Sequence, residues 1–157
     1  MYILCFDIGG SSLKCAIADE GGNLLQKYQY PHKESLEDLL ADMKDYQKQT
    51  KDYAPIGAAI SSCGAIDVES GIIYGESALP YLHGPSWKEL IKQHLHLPCE
   101  IENDANCAAL SELYYGQAKQ VQDMAFLVVG TGIGGAIVKN RQIHHGAHRY
   151  GGEFGMM

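Results

Sequence analysis

The sequence predicts an α/β chain, and three observations carry that expectation. Three short apolar runs separated by glycine turns open the chain, which is the pattern of a β-meander. From Ser35 onward the apolar period changes from two to three and four, and helical and strand-like segments then alternate. Finally, a strand, a Gly-Ser/Thr-Gly turn and a returning strand occur at 3–18 and again at 125–138.

The elements follow in order. Residues 2–8 and 12–19 read as two strands joined at Gly9-Gly10. Glu20-Gly21-Gly22-Asn23 forms the next turn, because glycine and asparagine tolerate positive φ. Leu24 to Tyr30 is a third strand, stopped by Pro31. Leu36, Leu39, Leu40, Met43 and Tyr46 then form the stripe of an amphipathic helix. Ser35 is its N-cap, with Asp38 in the capping-box position. "PIGAAISS" reads as a buried strand and "GIIYG" as a short one. Trp87 to Leu95 is a helix, "CEIEN" a strand, and Ala105 to Tyr115 a helix ended by Gly116. "MAFLVVG" is a strand on which "GGAIVKN" folds back, and "KNRQ" makes another turn. The expected organisation is a first lobe over residues 1–120 and the beginning of a second over 121–157.

Composition narrows the function. Apolar residues make up 46% and charged residues 20% of the 157, enough for a buried core in a soluble domain. Asp and Glu outnumber Lys and Arg 19 to 12, for a net charge of −7. A nucleic-acid surface needs a basic stripe, so nucleic acid is not expected as a partner. No apolar window is long enough to span a bilayer, and no signal peptide opens the chain, so no membrane role is expected. Cys5, Cys15, Cys63, Cys99 and Cys107 are an odd set without a CxxC pair, read as reduced core thiols in a cytoplasmic protein.

Three stretches carry chemistry. In "FDIGGSSLK" a carboxylate, Asp7, interrupts an apolar strand just before Gly9, Gly10, Ser11 and Ser12. A glycine and serine turn lets backbone N–H groups converge into a nest for phosphate. The hydroxyls of Ser11 and Ser12 add donors, Lys14 adds a cation, and Asp7 can hold Mg2+ directly or through water. Thr131, Gly132 and Gly134 repeat the pattern in the second hairpin. An ordinary tight turn is the plain alternative for either hairpin alone. In "IENDANCAALSE", Asn103 and Asp104 stand where a strand gives way to a helix. Both can be capping residues. Alternatively, Asp104 accepts the proton of a substrate hydroxyl and Asn103 binds a neighbouring hydroxyl. In "GAHRYGGEFG", Glu153 sits in a glycine loop, as a solvated acid or as a carboxylate accepting hydrogen bonds from two sugar hydroxyls. His144, His145 and His148 precede it, and HHxxH can bind metal or simply lie at the surface.

Together "FDIGGSSLK", "ENDANCAALSE", "VVGTGIGGAIV" and "GAHRYGGEFG" resemble, in order and rough spacing, the ROK family of sugar kinases within the actin-like ATPase superfamily. The resemblance runs from residue 2 to the last residue. It implies a ribonuclease-H-like fold of two lobes and ATP-dependent phosphoryl transfer to a sugar hydroxyl. It implies that Asp7, Gly9, Gly10, Ser11 and Ser12 form the first phosphate motif, with Mg2+, and that Thr131, Gly132 and Gly134 form the second. Asp104 corresponds to the catalytic base, Asn103 and Glu153 to sugar ligands, and Gly64-Ala65 in "SSCGAID" to the loop beneath the sugar. Glucose, N-acetylmannosamine, fructose and a β-glucoside all remain open as substrates.

The sequence departs from the family pattern in places. Ser11 stands where Thr is usual, which keeps the hydroxyl. Ala78 replaces an asparagine and cannot make its sugar contact. Met156 follows Gly155 where the family has a His that contacts sugar and often zinc. The family's zinc cysteines have no match here, so no structural zinc is expected in this chain. The alternative function is a non-catalytic ROK-type sugar-sensing regulator; those carry a helix-turn-helix ahead of the DxGG strand, where this chain begins. With the second lobe represented by one hairpin and the Glu153 loop, the 157-residue chain alone is not expected to turn over sugar. Exposed edges on residues 124–138 are expected to make it a homo-oligomer, or to leave a disordered tail after about Gly130.

Overall fold

The computed structural model describes residues 1–75, 79–129 and 132–156. Ala78 and Thr131, both singled out by the sequence, lie outside the described residues. The chain forms two compact units, Met1–Glu102 and Asn103–Met157.

In the first unit, β1 (Tyr2–Ile8), β2 (Ser12–Asp19) and β3 (Leu24–Pro31) form the expected meander. Helix α1 (Leu36–Gln49) follows, then β4 (Ala58–Ser62), a small hairpin of β5 (Ala65–Asp67) and β6 (Ile72–Tyr74), helix α2 (Trp87–Leu95) and β7 (Cys99–Asn103). The main sheet has the order β3-β2-β1-β4-β7. β1 runs antiparallel to β2 and parallel to β4. Period two sets its faces: Leu4, Phe6 and Ile8 are buried, while Cys5 and Asp7 between them are partly exposed. The buried set packs with Leu39, Met43 and Tyr46 of α1 and Trp87, Ile91 and Leu95 of α2 in one core.

Local chemistry starts and stops these elements. Ser35 caps α1, its Oγ accepting from the Asp38 N–H at 3.1 Å and donating to the Asp38 carboxylate at 2.7 Å. Ser86 caps α2 in the same manner, accepting from the Glu89 N–H. Opposite β3 the register of β2 shifts between Cys15 and Ile17. This bulge puts Gln26 at φ 47°, and its carbonyl accepts from the Tyr46 hydroxyl of α1. Pro31 closes β3 inside the strand rather than after it, which an edge strand tolerates.

The second unit begins with α3 (Asp104–Tyr114), followed by β8 (Met124–Val129), β9 (Ile133–Lys139) and β10 (Gln142–Ile143). Its sheet order is β10-β9-β8. Gly116 ends α3, its N–H donating back to the Ser111 carbonyl at 3.0 Å. Ala109, Leu113, Ala118, Ala136 and Val138 form the core of this unit. The compact units divide at 102/103, where the small face of α3 packs on the hairpin of β8 and β9. Among the described residues, no helix is long and apolar enough to cross a membrane.

Candidate active site

The first glycine turn is built around β1 and β2. The Gly9 N–H donates to the Ser12 carbonyl at 3.0 Å, closing the turn, and the Ser11 carbonyl accepts from the His32 N–H at 3.2 Å. Gly10 and Ser11 are exposed, whereas Ser12 is buried at 4% exposure. A Cβ built at Gly10 meets nothing within 4 Å, so internal packing does not demand glycine there. The open backbone faces solvent, where an approaching ligand benefits from the missing side chain.

Asp7 is half-buried beside this turn and has two partners. Lys14 Nζ donates to its Oδ2 at 2.9 Å, and Ser61 Oγ donates to its Oδ1 at 2.9 Å. Both follow from register: Asp7 lies opposite Lys14 across β1 and β2, and opposite Ser61 across β1 and β4. Lys14, expected on phosphate, thus pairs with the carboxylate in this structure. Sequence reasoning missed Ser61, which is 54 residues from Asp7 and has no local signal. Asp7 fits a magnesium ion, since a single hard carboxylate suits an ion that keeps several waters and takes further oxygens from phosphate. Among the described residues, no group of three or more His, Cys, Asp or Glu is arranged to hold a metal, His144, His145 and His148 included.

Gly64 and Ala65 open the small hairpin. Gly64 has φ +103°, and a Cβ there would lie 2.7 Å from Ile73 Cγ2 of β6. Glycine is needed at this position to start β5 against β6. From Ala65 the segment under the expected sugar loop forms a strand of three residues.

In the second unit, Asn103 caps α3. Its Oδ1 accepts from the N–H of Ala105 at 2.9 Å and of Asn106 at 3.2 Å. Asp104 is exposed at the first position of the helix, with its Oδ1 accepting from the Ala105 N–H at 2.9 Å. Both residues therefore have the capping role that was weighed against a functional one, and Asp104 still presents its side chain to solvent.

The glycines of the last two motifs explain one another. Gly152 has φ +95°, and a Cβ there would come within 2.7 Å of Ala136 Cα and 2.8 Å of the Gly135 carbonyl. The loop carrying Glu153 thus lies directly on the backbone of β9. At Gly134, a Cβ would stand 3.6 Å from Ala105 Cβ, so β9 also packs against the first turn of α3. One strand thereby supports both the Glu153 loop and the N-terminus bearing Asp104. Burial pushes the Glu153 carboxyl up, and the negative charge of Asp104 raises it further. Gly132 is open, with nothing within 4 Å of a Cβ.

The mixed α/β architecture, a five-stranded sheet with flanking helices and glycine turns at its strand ends, is that of the actin-like ATPases. The profile of the ROK family matches residues 3–157, and the chain belongs to that family. A crystal structure of a ROK family protein from Streptococcus pneumoniae in complex with sucrose matches with a TM-score of 0.89 and 42% identity, over 99% of this chain and 52% of that one. The β-glucoside kinase of Listeria monocytogenes is 35% identical over 100% of this chain and 53% of its own length. The xylose repressor of Caldicellulosiruptor bescii is 32% identical over 78% of this chain and 31% of its length. The chain spans about half the length of the first two.

Proposed function

We propose that this chain carries phosphate-binding and sugar-binding groups of an ATP-dependent sugar kinase. The observation that supports it most is that β9 carries the Glu153 loop on its backbone at Gly152 and the first turn of α3 beside Gly134, with burial and then the Asp104 charge raising the Glu153 carboxyl. Such a pair suits a ligand that brings several hydroxyl donors. Asp104 receives the proton of the attacking hydroxyl, and Glu153, Asn103 and the Gly64-Ala65 hairpin position the sugar. Asp7, Gly9, Gly10, Ser11, Ser12 and Lys14 are the phosphate-binding groups of the first motif, and Thr131, Gly132 and Gly134 those of the second. When bound at Asp7, Mg2+ neutralises charge on the transferring phosphoryl group; the protein's share is positioning. A cytoplasmic setting, where ATP is regenerated, goes with this chemistry.

The 157-residue chain alone does not turn over sugar under this proposal, and its exposed β8 makes it self-associate. Sedimentation checks the second statement and a coupled ADP-release assay the first. In a protein of the relatives' full length carrying this chain, Asp104→Asn lowers turnover by about 10²–10⁴-fold, the range of a general base, while sugar binding survives. Wild-type turnover in that variant removes Asp104 from the mechanism. The similarity to a xylose repressor supports a second reading, a sugar sensor without catalysis. A sensor binds sugar and releases no ADP in the same full-length assay.

A further inference from the structure

Lys14 stands beside the first turn with the Asp7 carboxylate as its partner. Three adjacent strands set Lys14, Asp7 and Ser61 in one row, each opposite the next by register. The ammonium rests on one carboxylate oxygen and the hydroxyl on the other. The row lies immediately before the Gly9-Gly10 turn, whose outer side is open at Gly10.

We propose that Lys14 is the resident cation of Asp7: it holds Oδ2 while phosphates are absent and gives that oxygen up when a nucleotide arrives with its metal. It rests on the sugar-kinase reading. The two side chains are 61% and 40% exposed, and a pair this open to water is held weakly and exchanges readily. An ammonium 2.9 Å from Oδ2 nevertheless opposes a divalent cation approaching the same oxygen. Free Mg2+ gives up water reluctantly and gains little from one carboxylate already paired with an ammonium. A triphosphate changes the balance, because its anionic oxygens attract the flexible Lys14 stem and supply the metal with further ligands. Ser61 keeps its hydrogen bond to Oδ1 throughout and acts as a positioning residue. The metal is thereby admitted together with the phosphates and disfavoured before them.

Removing the Lys14 charge should therefore move two affinities in opposite directions, which loss of a structural contact would not do. The probe for the first is Mn2+ alone, titrated by water-proton relaxation against the wild-type chain, Lys14→Met, and Lys14→Met with Asp7→Asn. Lys14→Met should bind Mn2+ about threefold to tenfold tighter, as expected when a like charge a few ångströms away is removed in water, and the gain should vanish in the double variant. Lys14→Gln repeats the titration in case Met disturbs the strand. Calorimetry with Mg–ATP supplies the second direction, with weaker binding by Lys14→Met than by wild type. Should a protein of the relatives' full length carrying this chain bind no nucleotide, the kinase reading fails, and the manganese titration still decides whether Lys14 keeps metal from Asp7. Manganese affinity that is unchanged or weaker in both Lys14 variants, or a gain that persists without the Asp7 carboxylate, overturns the proposal.

Discussion

The two compact units place their polar groups by different physical means. In Met1–Glu102, large side chains do the work: Trp87, Tyr46 and Phe6 are among the largest fully buried residues, and the sheet lies against two helices. Asp7, Lys14 and Ser61 are then aligned simply by strand register on a rigid sheet. In Asn103–Met157 the core is small, mostly alanine, with Leu113 and Val138. There, backbone lies on backbone, and Gly135 and Gly152 permit the close approach of the Glu153 loop to β9. The outer strand β8 is left with Leu127 at 61% and Val129 at 82% exposure. A unit held by close backbone contact and little apolar volume has less to lose from a side-chain truncation and more to lose from an added methyl group.

That contrast is broken most forcefully at Trp87. It is fully buried, and its indole N–H donates to the Leu82 carbonyl at 3.1 Å. Trp87→Ala leaves a large cavity and an unpaired carbonyl, and should destabilise the first unit by about 3–5 kcal/mol. Urea unfolding followed by amide exchange would read it. Protection should fall across β1, β4 and α2 while β9 changes little. Equal loss in both units would mean that they unfold as one and that the contrast has no energetic content.

The second test adds a methyl group in each unit. Gly152→Ala forces a Cβ into the backbone of β9 at a left-handed φ, and should cost roughly 1–3 kcal/mol, confined to the second unit. Gly10→Ala meets nothing within 4 Å and should leave stability unchanged. Amide exchange on β9 and thermal unfolding of the two variants separate them. A similar loss in both would show that the Gly10 turn needs its glycine for the fold rather than for a ligand.

Much of this was legible in the sequence, and the gaps have physical reasons. Helices α2 and α3 lie within one residue of expectation, and α1 starts directly after the expected cap at Ser35, because apolar spacing and the Ser35 cap mark them. Strands β5 and β10, of three and two residues, are too short for alternation to show. Ala105, Ala109 and Leu113 at intervals of four announce a face of α3 made for close packing. Lys14 could have been placed on Asp7, since a tight hairpin centred on Gly10-Ser11 pairs residue 7 with residue 14. Ser61 could not, because parallel register between distant strands is set by the whole sheet. The capping role of Asn103 was foreseen as the alternative to a sugar contact, and its geometry shows that role filled.

The smallest expected effect concerns charge within the second unit. The Glu153 carboxyl is raised in the folded chain, first by burial and then by Asp104. A raised carboxyl means that the folded form binds its proton more tightly than the unfolded form does. Stability contributed at this site is therefore fully present below the ordinary glutamate range and is lost as pH rises through the folded value. Glu153→Gln cannot ionise and should escape that loss. It should be slightly more stable than wild type at neutral pH, with the difference shrinking toward about pH 4, where glutamate is itself largely protonated. Asp104→Asn should produce part of the same gain, since it removes repulsion but not burial. Denaturant midpoints from about pH 4 to pH 8 would measure both, over the range that starts at the ordinary glutamate value. A Glu153→Gln chain that keeps the wild-type pH dependence would show that its carboxyl is solvated like any other, and that the glycine packing on β9 does not bring it into the field of Asp104.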